Sequence, residues 1–192
     1  MVEDAYKEIE KTKAKVEQEF MTVKKERTTR FYTAFNKVKS IIGKTYQELT
    51  RTSEHTVGGK ASLELLGDDH LFDYKDSGVQ YSVQPHGKRY RDNAQLSGGE
   101  KSVAALALLF AIQECNPSPF FIMDEVDAAL DSTNVHLISN FVRKRSMASG
   151  PNGDGADGRL QCIAISLKNT FYEKASGIIG IYKPASDSVS RV

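Results

Sequence analysis

The sequence has little net charge, little cysteine and no long apolar run. Its 26 basic residues nearly balance its 25 acidic residues, which excludes electrostatic steering of the whole molecule toward nucleic acid or a membrane. No run of apolar residues reaches the roughly 18 that a membrane-spanning helix needs, and the charged opening residues are unlike a signal peptide. Cys115 and Cys162 lie in or beside apolar stretches, where reduced, partly buried thiols are expected rather than a disulfide. We therefore expect a soluble intracellular protein with no membrane partner.

The sequence also lacks a complete phosphate-binding loop. Such a loop needs the pattern G-x-x-x-x-G-K-[ST], whose lysine and amides hold the β- and γ-phosphates of a nucleotide. The tripeptide Gly43-Lys44-Thr45 copies only the end of that pattern, because Val38 stands where the first glycine should be. The surrounding apolar residues recur at helical spacing. We interpret the tripeptide as part of a helix, so any grip on those phosphates must come from another segment.

One segment that is present predicts an anion site. The residues Leu96 to Lys101 read L-S-G-G-E-K and stand directly before an almost wholly apolar helical stretch, Val103 to Ile112. Glycine lets the backbone approach a ligand closely, and the free N–H groups at a helix start carry the positive end of its dipole. An isolated Ser-Gly-Gly can also be an ordinary turn before a helix, so the phosphate interpretation depends on the residues downstream.

An apolar strand that ends in two carboxylates lies downstream of this helix. Phe120 to Met123 runs straight into Asp124 and Glu125. A single carboxylate there could be a solvated strand end. Two of them after four apolar residues predict the ligand crevice that open α/β sheets form at the carboxyl ends of their strands. The glycine-rich helix start and this acidic strand end support each other as parts of one nucleotide site.

The pattern of apolar residues divides the chain at about residue 55. Residues 1–55 are rich in charge, lack proline and carry apolar residues at helical spacing, which predicts one long helix. Its first half, Met1 to Thr22, has the lysine and glutamate texture of a coiled-coil strand, although a solitary solvated helix would read similarly. In residues 56–192, short runs separated by glycines first predict antiparallel strands between Val57 and Arg91.

From Leu96 onward, helices and strands alternate, which predicts an α/β fold with a mainly parallel sheet flanked by helices. We expect both faces of its strands to be apolar and covered. The stretch from Ser149 to Arg159 is predicted to be a surface loop. The predicted elements are a helix to about 114, a strand over 119–124, a helix over 133–145, a strand over 160–166, a short helix over 168–176 and a last extended run over 178–182.

Other polar residues are less informative. The basic residues Lys88, Arg89 and Arg91 stand just before the glycine-rich segment and could lie near nucleotide or DNA. A second basic group is interleaved with glutamates and reads mainly as a solvated helix face: Lys24, Lys25, Arg27, Arg30, Lys37 and Lys39. The histidines are scattered and lack ligand spacing, so we predict no structural metal at them: His55, His70, His86 and His136.

The order of these motifs resembles the C-terminal lobe of an ABC-type ATPase head of the structural-maintenance-of-chromosomes (SMC) class. After L-S-G-G-E-K, the apolar helix and the strand ending in Asp124-Glu125 comes Ala128-Ala129-Leu130-Asp131. The local texture is similar to cohesin-type heads in five stretches: Gly58 to Leu65, Pro85 to Arg91, Ala104 to Ile112, Pro119 to Phe121 and Ile165 to Lys168. The resemblance implies the C-terminal lobe of an ABC-type P-loop ATPase head, preceded by a coiled-coil-base helix and a small antiparallel β region.

The resemblance implies a role for each motif, with ATP and Mg²⁺ as cofactors. The signature segment, Leu96, Ser97, Gly98, Gly99 and Glu100, would meet ATP bound to an opposite head. Asp124 would support Mg²⁺ through water, and Glu125 would be the catalytic carboxylate that orients the attacking water. Ala129, Leu130 and Asp131 would form the D-loop at the seam between heads. Where many ABC ATPases place a histidine after the next strand, this chain has Leu167 after Ser166, as cohesin-type heads do.

The resemblance also implies partners. These are the protein's own N-terminal Walker A lobe, a second SMC head, the C-terminal winged-helix domain of a kleisin, docked through Ile178 to Val192, and DNA in the full complex. The chain alone would be inactive because it lacks Walker A. The implied setting is the nucleus and its chromosomes, with roles in sister-chromatid cohesion and chromosome organisation. Two alternatives stay open: a DNA-repair or condensin-type head, and a lobe that serves chiefly as a kleisin-docking platform.

Overall fold

The computed structural model describes residues 2–67, 78–92, 95–147 and 160–182. Helices and strands alternate from the signature segment onward, as the sequence predicts. The surface loop expected over 149–159 and the chain beyond residue 182 lie outside the described residues. The elements are α1 Val2–Thr50, β1 Lys60–Leu66, β2 Gly78–Gln84, β3 Arg91–Asp92, α2 Gly98–Cys115, β4 Phe120–Asp124, α3 Ser132–Met147, β5 Gln161–Ile165 and α4 Asn169–Tyr172.

Helix α1 is 49 residues long and has two halves of different character. Its C-terminal half packs into the core through Phe35, Ile42, Tyr46 and Leu49. Gly43-Lys44-Thr45 lies in this half, which confirms that the tripeptide is helical and not the end of a phosphate-binding loop. The first half is exposed although it carries large apolar side chains at helical spacing, including Tyr6, Ile9, Val16, Phe20 and Val23. That pattern is typical of a helix with a coiled-coil partner.

Strands β1, β2 and β3 form the predicted antiparallel sheet, in that order. β1 and β2 pair along their whole length, from Lys60 opposite Gln84 to Leu66 opposite Gly78. Alternation places the buried Leu63 and Val83 on the face that packs into the core. Tyr81 donates a hydrogen bond of 3.0 Å from its hydroxyl to the Ala104 carbonyl, which ties the sheet to α2.

Strands β4 and β5 pair in parallel, and only one face of this sheet is covered. On the covered face Met123 is buried, and the Phe110 ring packs against Phe121 and Phe141 at centroid distances of 5.8 and 5.0 Å. On the other face Phe120, Ile122, Ile163 and Ile165 are about half exposed. The expectation that both faces are covered is therefore wrong for the described residues, because no element among them packs on that side.

Two further expectations need correction. The extended run over 178–182 does not form a strand: residues 178–181 have no regular structure, and Tyr182 makes only an isolated bridge. The helix expected over 168–176 is confined to α4 and a following turn.

Both cysteines are free, as predicted, and burial raises the pKa of the Cys162 thiol to about 11. Within the described ranges no helix is long and apolar enough to cross a bilayer.

Candidate functional site

The signature segment forms the start of α2 through a capping box. Ser97 is the N-cap, and its Oγ accepts a hydrogen bond of 3.3 Å from the Glu100 amide, while the Ser97 amide donates to Glu100 Oε2 at 2.9 Å. The first helical bond runs from the Lys101 amide to the Ser97 carbonyl. The amides of Gly98 and Gly99 therefore precede the regular helical bonding pattern, where an anion can accept from them. Because Ser97 Oγ serves the cap as an acceptor, its O–H remains a donor for a ligand.

Lys88 holds this cap from the side. Its Nζ lies 2.7 Å from Glu100 Oε1. The Lys88 ammonium lowers the pKa of Glu100 below its usual value, with further lowering by the bonds to Ser97 and partial opposition by burial. Of the basic residues that precede the signature segment, Lys88 thus forms an ion pair with the capping carboxylate of Glu100. Arg89 is exposed, and the Arg91 side chain lies outside the part of the chain that the structure describes.

Asp124 and Glu125 stand at the carboxyl end of β4, where the chain turns sharply. Asp124 is the last strand residue and pairs with Ile165. Glu125 has a φ of 45°, the left-handed region that side-chain-bearing residues seldom adopt, and its amide donates to the Ile165 carbonyl at 3.0 Å. Both side chains are exposed. Strained backbone of this kind concentrates at functional sites.

Apart from these two carboxylates, the described residues provide few candidate ligands for a metal ion. They contain no group of three or more histidine, cysteine, aspartate or glutamate side chains that could hold one. Mg²⁺ is commonly bound by one or two carboxylates together with water and substrate phosphates. A single aspartate at an open strand end, Asp124, fits that manner of binding and does not fit a closed structural metal site.

The D-loop residues follow in a tight turn that leads into α3. The Ala128 amide donates to the Glu125 carbonyl at 3.0 Å. Asp131 caps α3, because its Oδ1 accepts from the Asn134 amide at 2.8 Å. Leu130 is buried, whereas Ala129 and Asp131 are exposed. The turn therefore anchors one D-loop side chain in the core and presents the other two at the surface.

The signature segment and the D-loop are neighbours in space. A methyl group placed on Gly99 would lie 3.6 Å from the Ala129 carbonyl oxygen, at van der Waals contact. Among the described residues, no hydrogen bond or ion pair joins the signature segment to Asp124 or Glu125. The structure thus brings the signature and D-loop together, while the strand-end carboxylates face outward on their own.

Sequence reasoning missed a buried aspartate in this turn. Asp127 is only 2% exposed, and its Oδ2 accepts a hydrogen bond of 2.7 Å from Ser166 Oγ. Lys168 Nζ donates to the carbonyls of Asp127 and Leu130, at 2.7 and 2.6 Å. The available signal was the acidic spacing of D-E-V-D-A-A-L-D, in which Asp127 is the one carboxylate between the strand end and the D-loop.

Comparison with known proteins decides the family. The model for the "RecF/RecN/SMC N terminal domain" matches residues 2–190. The chain belongs to this family. Among curated SMC relatives, "Structural maintenance of chromosomes protein 1" of Arabidopsis thaliana is 48% identical over 171 residues, which is 88% of this chain and 14% of that protein. The protein of the same name from Saccharomyces cerevisiae is 42% identical over 181 residues, 93% of this chain and 14% of the relative.

Solved SMC heads share the fold. One, from work on "ATP-driven dimerization and DNA stimulated activation of SMC ATPases", is 29% identical with a TM-score of 0.66, over 85% of this chain and 86% of that one. An SMC head "bound to the C-winged helix domain of ScpA" is 29% identical with a TM-score of 0.67, over 87% of this chain and 44% of that one. The SMC resemblance predicted from the motifs is confirmed, and the fold is that of an SMC ATPase head. The chain spans about a seventh of the curated relatives.

Proposed function

We propose that these residues form the C-terminal lobe of a cohesin-type SMC head that binds and hydrolyses ATP between two heads. The observation that carries this proposal is the capped Ser97-Gly98-Gly99 segment lying beside the D-loop at Ala129. The matched family is described by an N-terminal domain, so the assignment to the C-terminal lobe is ours. It rests on motif order: signature, strand-end carboxylates and D-loop are present, whereas the Walker A pattern is absent from the sequence.

In this proposal the signature segment contacts the γ-phosphate of ATP held by the opposite head. The Ser97 hydroxyl and the amides of Gly98 and Gly99 donate to phosphate oxygens, aided by the dipole of α2. Asp124 would hold Mg²⁺ through water, and the ion would supply positive charge to the phosphates. Glu125 orients the attacking water. Phosphoryl transfer depends mostly on such positioning and on charge stabilisation, so no covalent intermediate with the protein is needed.

The apolar surface left open supports a missing Walker A lobe as the first partner. The exposed sheet face carries Phe120, Ile122, Ile163 and Ile165. Helix α2 is also apolar around most of its circumference, yet its Leu109 and Ile112 are 42 and 48% exposed. A helix that is apolar all round is normally buried. We infer that the Walker A lobe of the same protein covers these surfaces, because large exposed apolar patches usually mark a site of interaction.

We further propose that the head docks a kleisin winged-helix domain, acts with DNA in the full complex, and works on nuclear chromosomes in sister-chromatid cohesion. Support for docking comes from the solved SMC head bound to the C-winged helix domain of ScpA. The exposed residues Ile178, Ile179, Ile181 and Tyr182 are the candidate contacts. A condensin-type head is the second candidate, because "Structural maintenance of chromosomes protein 4" of Saccharomyces cerevisiae is 36% identical over 168 residues. Its lower identity than the protein 1 relatives favours the cohesin type.

The test is ATP-dependent dimerisation of the complete head, with this chain co-expressed with the Walker A lobe and carrying Glu125→Gln to block turnover. Size-exclusion chromatography with light scattering should show a dimer only with ATP and Mg²⁺. Adding Ser97→Arg should abolish that dimer, because its long side chain fills the phosphate position. A head that stays monomeric under all conditions yet still binds a kleisin winged helix would reject the ATPase interface and leave a docking platform.

A further inference from the structure

The turn between Glu125 and Asp131 is held in place from the end of β5. Three side chains carry this connection, and we name them the Lys168 clamp: Asp127, Ser166 and Lys168. The clamp reaches across about 40 residues of sequence, since Lys168 Nζ contacts a carbonyl 41 residues earlier. It therefore links two loops at the same edge of the parallel sheet, one of which carries the candidate catalytic carboxylate.

The clamp acts on the carbonyls that define the turn. The Asp127 carbonyl accepts both from the Leu130 amide at 3.1 Å, which closes the turn, and from Lys168 Nζ at 2.7 Å. The same ammonium binds the Leu130 carbonyl at 2.6 Å. One lysine thus fixes the relative position of two peptide groups inside the segment that joins Glu125 to Asp131.

The clamp is closed by a buried carboxylate. Ser166 Oγ donates to Asp127 Oδ2 at 2.7 Å and accepts from the Lys168 amide at 3.0 Å. Asp127 is almost fully buried, so its carboxylate is costly to strip of these bonds. Lys168 is partly buried as well. Because the members of the clamp hydrogen-bond to one another and to the turn, loss of one side chain leaves polar groups of the turn without a hydrogen-bond partner.

We propose that Lys168 is a positioning residue for hydrolysis, acting through the Asp127 turn on the placement of Glu125 and the D-loop. This inference rests on the proposed function, because Glu125 and Asp131 have catalytic placements only if the head hydrolyses ATP. The signature segment is held by its own cap and not by the clamp, so we expect loss of the clamp to slow hydrolysis far more than it weakens engagement of two heads.

The test uses the full-length protein with its partner head and compares Lys168→Met with wild type. Methionine keeps much of the length of lysine but removes the donors. We expect kcat for ATP to fall by about tenfold to a hundredfold, the cost of a small misplacement of catalytic groups, with KM unchanged. ATP-dependent dimerisation in the Glu125→Gln background should change far less than kcat. Lys168→Arg should recover part of kcat because it restores donors, and the exposed α3 residue Lys144, changed to methionine, is the matched control.

The possible results distinguish the positioning role of Lys168 from the proposed function of the head. A wild-type kcat in Lys168→Met, or losses of dimerisation and kcat in equal proportion, would overturn the positioning role. If Lys168→Met does not fold, Ser166→Ala decides, because it removes the two hydrogen bonds of Ser166 Oγ but keeps the lysine, and it should lower kcat less and leave KM unchanged. Absence of ATP-dependent dimerisation and turnover in the wild-type pair would instead reject the proposed function.

Discussion

Lys88 and Glu100 form an ion pair whose Nζ and Oε1 atoms are 2.7 Å apart. It joins the turn after β2 to the first turn of α2. Glu100 accepts a hydrogen bond from the Ser97 amide in the capping box. Lys88 therefore holds in place the carboxylate that stabilises the N-terminus of α2. The pair thereby connects the antiparallel sheet to the N-terminal end of α2.

Loss of this pair should have a defined pH dependence. Lys88→Met should lower the free energy of unfolding of the complete head by about 0.2–1 kcal/mol at neutral pH, the usual value of an exposed pair. The folded pKa of Glu100 lies below its ordinary value of 4.5. The stabilisation is therefore present above that value and is lost as the pH falls through the folded pKa. Urea unfolding across this range checks it, with Arg89→Met as control; a difference that does not shrink in acid would contradict the assignment.

Gly98 offers a test of ligand approach that is free of packing effects. A methyl group added at Gly98 would meet no atom within 4 Å, so Gly98→Ala should leave the fold and its stability intact. If the γ-phosphate comes close to this backbone, the same methyl group should weaken ATP-dependent dimerisation, measured by light scattering over a range of ATP concentrations. Steric exclusion by one methyl group is expected to raise the required ATP by about tenfold, near 1.4 kcal/mol.

The matched control for that variant is Gly177→Ala, which also places a methyl group in open space. Gly177 lies far along the chain from the signature segment, beyond α4. Dimerisation of Gly177→Ala should match wild type. Equal behaviour of the two variants would count against close phosphate approach at Gly98.

Gly58 and Gly87 share a backbone conformation and differ in their surroundings. Both have a φ of 71°, but a methyl group on Gly87 meets nothing within 4 Å, whereas one on Gly58 would run into the Gln47 carbonyl at the end of α1. Gly87→Ala should therefore cost only the left-handed strain, about 1–2 kcal/mol. Gly58→Ala should cost a further 1–3 kcal/mol or so from overpacking. Thermal unfolding of the two variants measures the difference, and equal losses would refute the close approach.

The sequence predicts most of the local structure because periodicity and turn residues act locally. The apolar spacing in α1 and the glycine punctuation around β1 and β2 are enough to place those elements. For the same reason the false loop at Gly43-Lys44-Thr45 is recognised as helical. The S-G-G-E order is also a capping-box pattern, a signal beyond the helix start that we predicted there.

Long-range contacts explain what the sequence does not predict. Asp127 and Lys168 meet across a distance that no periodic pattern encodes, so their clamp is visible only in the structure. The uncovered sheet face arises for a similar reason. Apolar residues such as Ile122 and Ile163 predict burial, but their pattern does not say which surface covers them. The missing strand over 178–182 is a third case, since strand formation there needs a neighbour to pair with.

The open sheet face can be tested directly. Ile122→Glu places a charge at a residue that is 57% exposed, so this lobe should still fold. If the Walker A lobe covers the face, the charge would be buried without a partner, at a cost of several kcal/mol. Co-purification of the two lobes should then fail. Ile181→Glu, at a residue that is 73% exposed outside this face, should leave co-purification intact, and the same loss in both variants would argue against a specific interface.

Turnover and kleisin docking should separate by mutation. If Glu125 orients the attacking water, Glu125→Gln should lower hydrolysis by at least about a hundredfold and leave kleisin binding unchanged. Charge introduced at Ile179 or Ile181, which are 80 and 73% exposed, should do the reverse, because a desolvated charge would oppose an apolar interface. Binding of a labelled kleisin winged-helix domain, followed by fluorescence anisotropy beside an ATPase assay, distinguishes the two losses. Kleisin affinity that followed Glu125 instead would mean that docking depends on the nucleotide site and not on this apolar segment.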